Sequence, residues 1–109
     1  MQLNEFYKSK KVVSEEWWLD ECSMPELSWA RLRVFNDGSA DVVFCVEKDK
    51  CYGFSDCPSA RYFLLEDEFM SIDKYGEEDE NEYKVKRSDL HPPSGFFVES
   101  KRFVYVGQY

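Results

Sequence analysis

Residues 29–47 read WARLRVFNDGSADVVFCVE, and the period of their apolar positions decides the fold class. Ala30, Leu32 and Val34 alternate with Arg31, Arg33 and Phe35. Beyond Asn36-Asp37-Gly38, Ala40, Val42, Phe44 and Val46 alternate with Asp41, Val43 and Cys45. Successive side chains of a strand point to opposite faces, so period-two patterning on both sides of a turn signal predicts a β-hairpin. Its register follows from which pairing keeps one face apolar. A two-residue loop at Asp37-Gly38 would set Val34 beside Asp41. A three-residue loop, Asn36 to Gly38 with Gly38 left-handed, pairs Val34 with Ala40, Leu32 with Val42 and Ala30 with Phe44. It also sets Arg33 across from Asp41, an expected exposed ion pair worth roughly a few tenths of a kcal/mol.

Working outward, a third strand is expected at Cys51–Phe54, after the polar turn Glu47–Lys50. The next stretch, SDCPSARYFLLEDEFMSID at residues 55–73, predicts the main helix, about 58–72. Ser55 or Asp56 can cap it, and Pro58 is tolerated only in the first turn. Tyr62, Leu65, Phe69 and Ile72 form one stripe at helical spacing, widened by Phe63 and Leu64. Gly76 supplies a stop signal. Short strands are expected at Glu82–Lys86, Phe96–Glu99 and Arg102–Val106, with a loop at Pro92-Pro93. At the other end, Leu3, Phe6 and Tyr7 suggest a helix to about residue 10. Residues 12–19, VVSEEWWL, read either as a helix beginning near Ser14 or as an edge strand. Together these elements predict a single α+β domain spanning residues 1–109. Its single antiparallel β-sheet of five or six strands has the main helix (about 58–72) and an N-terminal helical segment packed on it.

Composition bounds the function. Of 109 residues, 43% are hydrophobic and 17% aromatic, enough to build a core rather than a disordered chain. The net charge of -8, from 22 acids against 14 bases, argues against direct contact with nucleic acid, which needs clustered Lys and Arg. No run approaches the ~20 apolar residues of a membrane span. The start, MQLNEFYKSKK, lacks the apolar run of a secretory signal, so a cytoplasmic protein is expected. Cys22, Cys45, Cys51 and Cys57 lack the close pairs typical of zinc sites and are expected as reduced, semi-buried thiols.

The chain carries no G-x-S-x-G, no G-x-G-x-x-G and no P-loop, and its single histidine, His91, has no named catalytic partner. No catalytic, cofactor-binding or metal-binding residue is therefore assigned. The conspicuous feature is the stretch YGEEDENEY, residues 75–83, where Glu77, Glu78, Asp79, Glu80 and Glu82 follow one another. It fails the EF-hand pattern, and its first reading is a solvated loop. Its functional reading is a docking surface for a basic partner. Asp67, Glu68 and Asp73 extend it, because residues 66–82 hold nine acids and only Lys74. Residues 15–28 add Glu15, Glu16, Asp20, Glu21 and Glu26 with no base. Adjacent Trp17 and Trp18 cannot share one face of a strand, so one is a candidate interface anchor.

In size, acidity and aromatic content the chain resembles small bacterial proteins that neutralise basic partners, notably immunity proteins of toxin systems. That likeness carries over no residue. The leading expectation is a non-enzymatic acidic protein-binding module, an immunity or inhibitor protein neutralising a basic toxin or nuclease. The alternative is a cytosolic accessory or regulatory domain acting through protein contacts, as monomer or homodimer. A small ligand-binding domain or enzyme is third. On the first reading, replacing Glu77, Glu78, Asp79 and Glu80 by Ser should weaken binding without lowering thermal stability.

Overall fold

The chain opens with a short helix, α1 (Leu3–Tyr7), and then runs through β1 (Val12–Asp20), β2 (Trp29–Phe35), β3 (Ala40–Phe44) and β4 (Lys50–Phe54). Next come α2 (Cys57–Glu66), β5 (Phe69–Ser71), α3 (Glu77–Tyr83) and β6 (Arg102–Gly107). The structure is a computed structural model that describes residues 1–94 and 102–109. The expected strand Phe96–Glu99 lies outside the described residues.

The described strands form one six-stranded sheet in the order β5-β1-β2-β3-β4-β6. Its pairs are antiparallel except β4 with β6, which run parallel. The hairpin has the register that the three-residue loop requires: Ala30 faces Phe44, Leu32 faces Val42, Arg33 faces Asp41 and Val34 faces Ala40. Gly38 sits at φ 87°, the left-handed conformation that closes such a loop at least cost in glycine. Asn36 ties the loop to the chain entering β1. Its amide donates to the Lys11 carbonyl at 2.9 Å, and its side-chain oxygen accepts from the Lys11 amide at 3.0 Å.

Residues 12–19 form a strand rather than a helix, and their first part, Val12–Trp17, pairs with β2 alone and keeps the edge position expected of it. Only the end of the strand becomes an inner one, where β5 pairs outside it through Asp20–Phe69, Leu19–Met70 and Trp18–Ser71. The β-branched pair Val12-Val13 and the two tryptophans favour extended chain, and the ladder with β2 overrides the helix-start signal at Ser14.

The sheet is covered on both faces, whereas helices on a single face were expected. On one face Ala30, Leu32, Ala40, Val42, Phe44 and Phe54 meet Ala60 and Leu64 of α2, along with Trp18 and Phe69. Leu32, Val42, Phe54 and Leu64 are fully buried, each worth about 1.5–3 kcal/mol of transfer free energy. The helix starts where expected: Asp56 accepts the Ser59 amide at 2.8 Å and Pro58 lies in its first turn. It ends earlier, at Glu66, and the chain turns through Glu68 at φ 61° into β5. The expected stripe therefore fails. Tyr62 and Leu65 are exposed, and Phe69 and Ile72 lie beyond the helix. Small Ala60 faces the sheet and lets α2 approach closely.

On the opposite face α1 covers the β3–β4–β6 side. Phe6 is buried against Phe35 and Phe103, with ring centroids 6.1 and 5.1 Å away. A Cβ at Gly53 would lie 2.6 Å from the Phe103 ring, so only glycine admits this approach. Beneath Tyr7 sits a buried polar network centred on Asp41, which is 0% exposed. Arg33 Nε and Nη2 donate to its two oxygens at 3.1 and 2.6 Å, and the Tyr7 hydroxyl donates to Oδ2 at 2.7 Å. The Cys51 thiol lies 3.6 Å from the same oxygen. The Arg33–Asp41 pair was expected at the surface. It is buried because α1 lies over it.

The rest of that face packs on α3. Leu19 and Trp29 meet Tyr75 and Leu90, with Tyr83 and Val85 beside them. The 75–83 stretch is thus a helix rather than a solvated loop, and no strand forms at 82–86. Four acids in its first turn suit the positive end of the helix, and Lys84 ends it at φ 61°. Tyr75 is buried and donates to the Val85 carbonyl at 2.7 Å, holding the chain after α3 against the sheet. Among the described residues no helix is long and apolar enough to cross a membrane.

Candidate functional site

The candidate site is the end of the molecule where β1 runs out and β5 begins. Pairing of Asp20 with Phe69 brings the two acidic segments of the sequence side by side. The Glu21 amide donates to the Glu68 carbonyl at 3.0 Å, and the Cys22 thiol donates to the Glu68 carboxylate. From the other face of the sheet, the Tyr83 hydroxyl of α3 donates to Glu21 Oε1 at 3.2 Å. Asp20, Glu21, Glu68 and the C-terminal turn of α3 therefore converge, although they lie far apart in sequence.

The local electrostatics follow from that crowding. The hydrogen bond to Glu68, then burial and the charges of Glu68, Asp20 and Glu21, push the Cys22 thiol up to about 11. Burial first, then hydrogen bonds to Glu82 and Glu21 and their charges, raise the Tyr83 hydroxyl well above its ordinary range. Each shift favours the neutral form beside carboxylates, as expected where negative charge accumulates.

The sequence-selected residues divide into two groups. Glu77, Glu78 and Glu82 are exposed on α3, and Asp67, Glu68 and Asp73 are exposed on the turns before it. Asp79 and Glu80 are half-buried and hold backbone: Asp79 accepts the Gly76 amide at 2.8 Å and Glu80 accepts the Arg87 amide at 2.7 Å. Replacing all four of residues 77–80 would thus remove two structural hydrogen bonds, which corrects the expectation of unchanged stability. The salt bridges among the described residues lie elsewhere, joining Lys10 to Asp37, Arg33 to Asp41, Arg61 to Glu16 and Arg102 to Asp49. Glu16 is therefore withdrawn from the acidic field. Bases also border it. Lys74, Lys84 and Lys86 are exposed beside α3, and Arg87 donates to the Ile72 and Tyr75 carbonyls.

The tryptophans do not form an exposed anchor. Trp18 is 4% exposed in the α2-side core, its Nε1 donating to Glu16 at 3.2 Å. Trp17 is half-buried on the other face, edge-on to Trp29 with centroids 6.0 Å apart. Two covered faces absorb two adjacent tryptophans, so each fills its own core.

Sequence reasoning missed a groove of about 450 Å3 beside Asp20, on the α2 face of the sheet. Phe44, Tyr52, Phe63 and Phe69 give it an aromatic wall, and carboxylates stand around it. Its aromatics come from four separate elements, β3, β4, α2 and β5, so no single stretch of sequence signals it. His91 is exposed in its loop and does not line this groove. Among the described residues, no group of three or more His, Cys, Asp or Glu side chains is arranged to hold a metal ion. Comparison of the chain with protein families, with curated proteins and with solved structures finds no match.

Proposed function

We propose that this chain is a non-enzymatic binding module that captures a basic protein through its acidic end, in the manner of an inhibitor or immunity protein. The observation that carries the reading is the junction of two acidic segments at Asp20, Glu21 and Glu68, which Tyr83 links to α3, the helix that carries the exposed Glu77, Glu78 and Glu82. Where carboxylates outnumber the bases around them, their charges sum into a field that attracts a cationic surface and accelerates its encounter. The flanking lysines confine that field to one end of the molecule and give the complex an orientation.

The test is affinity capture from the source cell at low and high salt, with the wild type and a Glu77→Ser, Glu78→Ser, Glu82→Ser variant. This set spares the backbone hydrogen bonds of Asp79 and Glu80, so its melting temperature should fall less than that of a variant replaced throughout 77–80. A basic protein should be retained by the wild type, released by salt and lost by the triple variant. Equal retention by the triple variant, or an acidic captured protein, would sink the proposal.

A further inference from the structure

We infer that the aromatic groove beside Asp20 takes an arginine side chain of the basic partner; this rests on the binding function proposed above and names the chemistry of one contact. The groove, about 450 Å3, is of a size to admit one long side chain. Its wall is a packed set of rings: Phe44 lies 5.7 Å from Tyr52 and 5.2 Å from Phe69 between centroids, and Tyr52 lies 5.2 Å from Phe63. Ring faces attract cations, and a planar guanidinium both stacks on them and forks toward carboxylates.

The rim supplies those carboxylates and no lysine or arginine. Two are already engaged: Asp20 accepts from the Cys22 amide and the Ser23 hydroxyl, and Glu66 accepts from the Tyr109 hydroxyl. The other two, Glu47 and Asp67, take part in none of the four salt bridges among the described residues. They are the groups available to a guanidinium. Tyr52 already holds one cation of the chain itself, with Lys50 Nζ 5.0 Å from its ring centroid. Lys50 and Arg102 also feel the charge of Glu47, so Asp67 is the rim carboxylate on which the incoming guanidinium depends most. Arginine is favoured over lysine because the groove offers flat rings with carboxylates on the same rim.

The experiment is an NMR titration of the full chain with a short blocked peptide containing two arginines, and with the same peptide carrying neutral citrulline. The arginine δ-methylene protons should move upfield on saturation, the signature of stacking over rings, and the citrulline peptide should bind at least about tenfold more weakly. Glu47→Gln with Asp67→Asn should weaken the arginine peptide about tenfold, because the charge-assisted hydrogen bonds are lost while the rings remain. Glu77→Ser, Glu78→Ser, Glu82→Ser should stay within about twofold of the wild type in this titration. No saturable upfield shift, equal binding of the citrulline peptide, or unchanged affinity in the Glu47 and Asp67 variant would overturn the inference. Each of those results leaves the capture experiment on α3 to judge the wider function separately.

Discussion

The two faces of the sheet are built from the same strands but held by different physics. On the α2 face, Leu32, Val42, Phe54 and Leu64 exclude water with no polar atom at the centre. On the α1 face, the corresponding layer contains Asp41, Arg33, the Tyr7 hydroxyl and the Cys51 thiol among the aromatics. Apolar burial is tolerant of rearrangement, because any well-shaped hydrocarbon contributes. A buried carboxylate is not tolerant, because it must find its partners or cost several kcal/mol. The dry face coheres through apolar contact alone, and the polar face adds partners that determine where α1 sits.

The largest departure from this balance should come from Asp41→Asn. It leaves the half-buried Arg33 without its counter-charge, with Arg31 packed nearby and 5% exposed. A loss of about 3–5 kcal/mol is expected in denaturant unfolding. Leu64→Ala on the dry face should cost about 2–4 kcal/mol by transfer and cavity formation, with the polar network intact. Should Asp41→Asn prove no more costly than a surface substitution, the contrast between the faces would collapse.

A smaller effect separates the faces by pH. Burial first, then the charges of Asp41 and Cys51 and their hydrogen bonds, raise the Tyr7 hydroxyl far above its ordinary value near 10. Below that value both folded and unfolded chains keep the proton, and the full contribution is present. Above it the unfolded chain releases a proton that the folded chain retains, so stability falls as pH rises. Burial and acidic neighbours also raise Tyr75 and Tyr83, so Tyr7→Phe should flatten the alkaline decline only in part. Unfolding midpoints measured between neutral and strongly alkaline pH would reveal this; an unchanged slope would place Tyr7 outside the network.

What was legible in the sequence follows the same division. The hairpin was readable down to its register because alternation, loop length and Gly38 all agree. Asp56 and Pro58 marked the start of α2 for local reasons. Its end was not marked, since Glu68 rather than glycine takes the left-handed turn. Its buried face was also misjudged, because bulky Tyr62 and Leu65 look more like core than small Ala60 does. The acidic helix was hidden by its polarity: only Tyr75 and Tyr83 show which side is held, and Tyr83 with Val85 imitates a strand. Convergence at Asp20 and the aromatic groove depend on β5 returning beside β1, a long-range pairing that no window of sequence contains.

The parallel partnership of β4 and β6 has a consequence in time. Lys50 meets Arg102, about fifty residues later in the chain, so this ladder closes a long loop before its contacts can contribute. The meander from β1 to β4 joins near neighbours and can assemble early, whereas β6 must arrive afterwards. Until it does, the slot above Gly53 lacks the Phe103 ring and one margin of the growing sheet stays open to any passing strand.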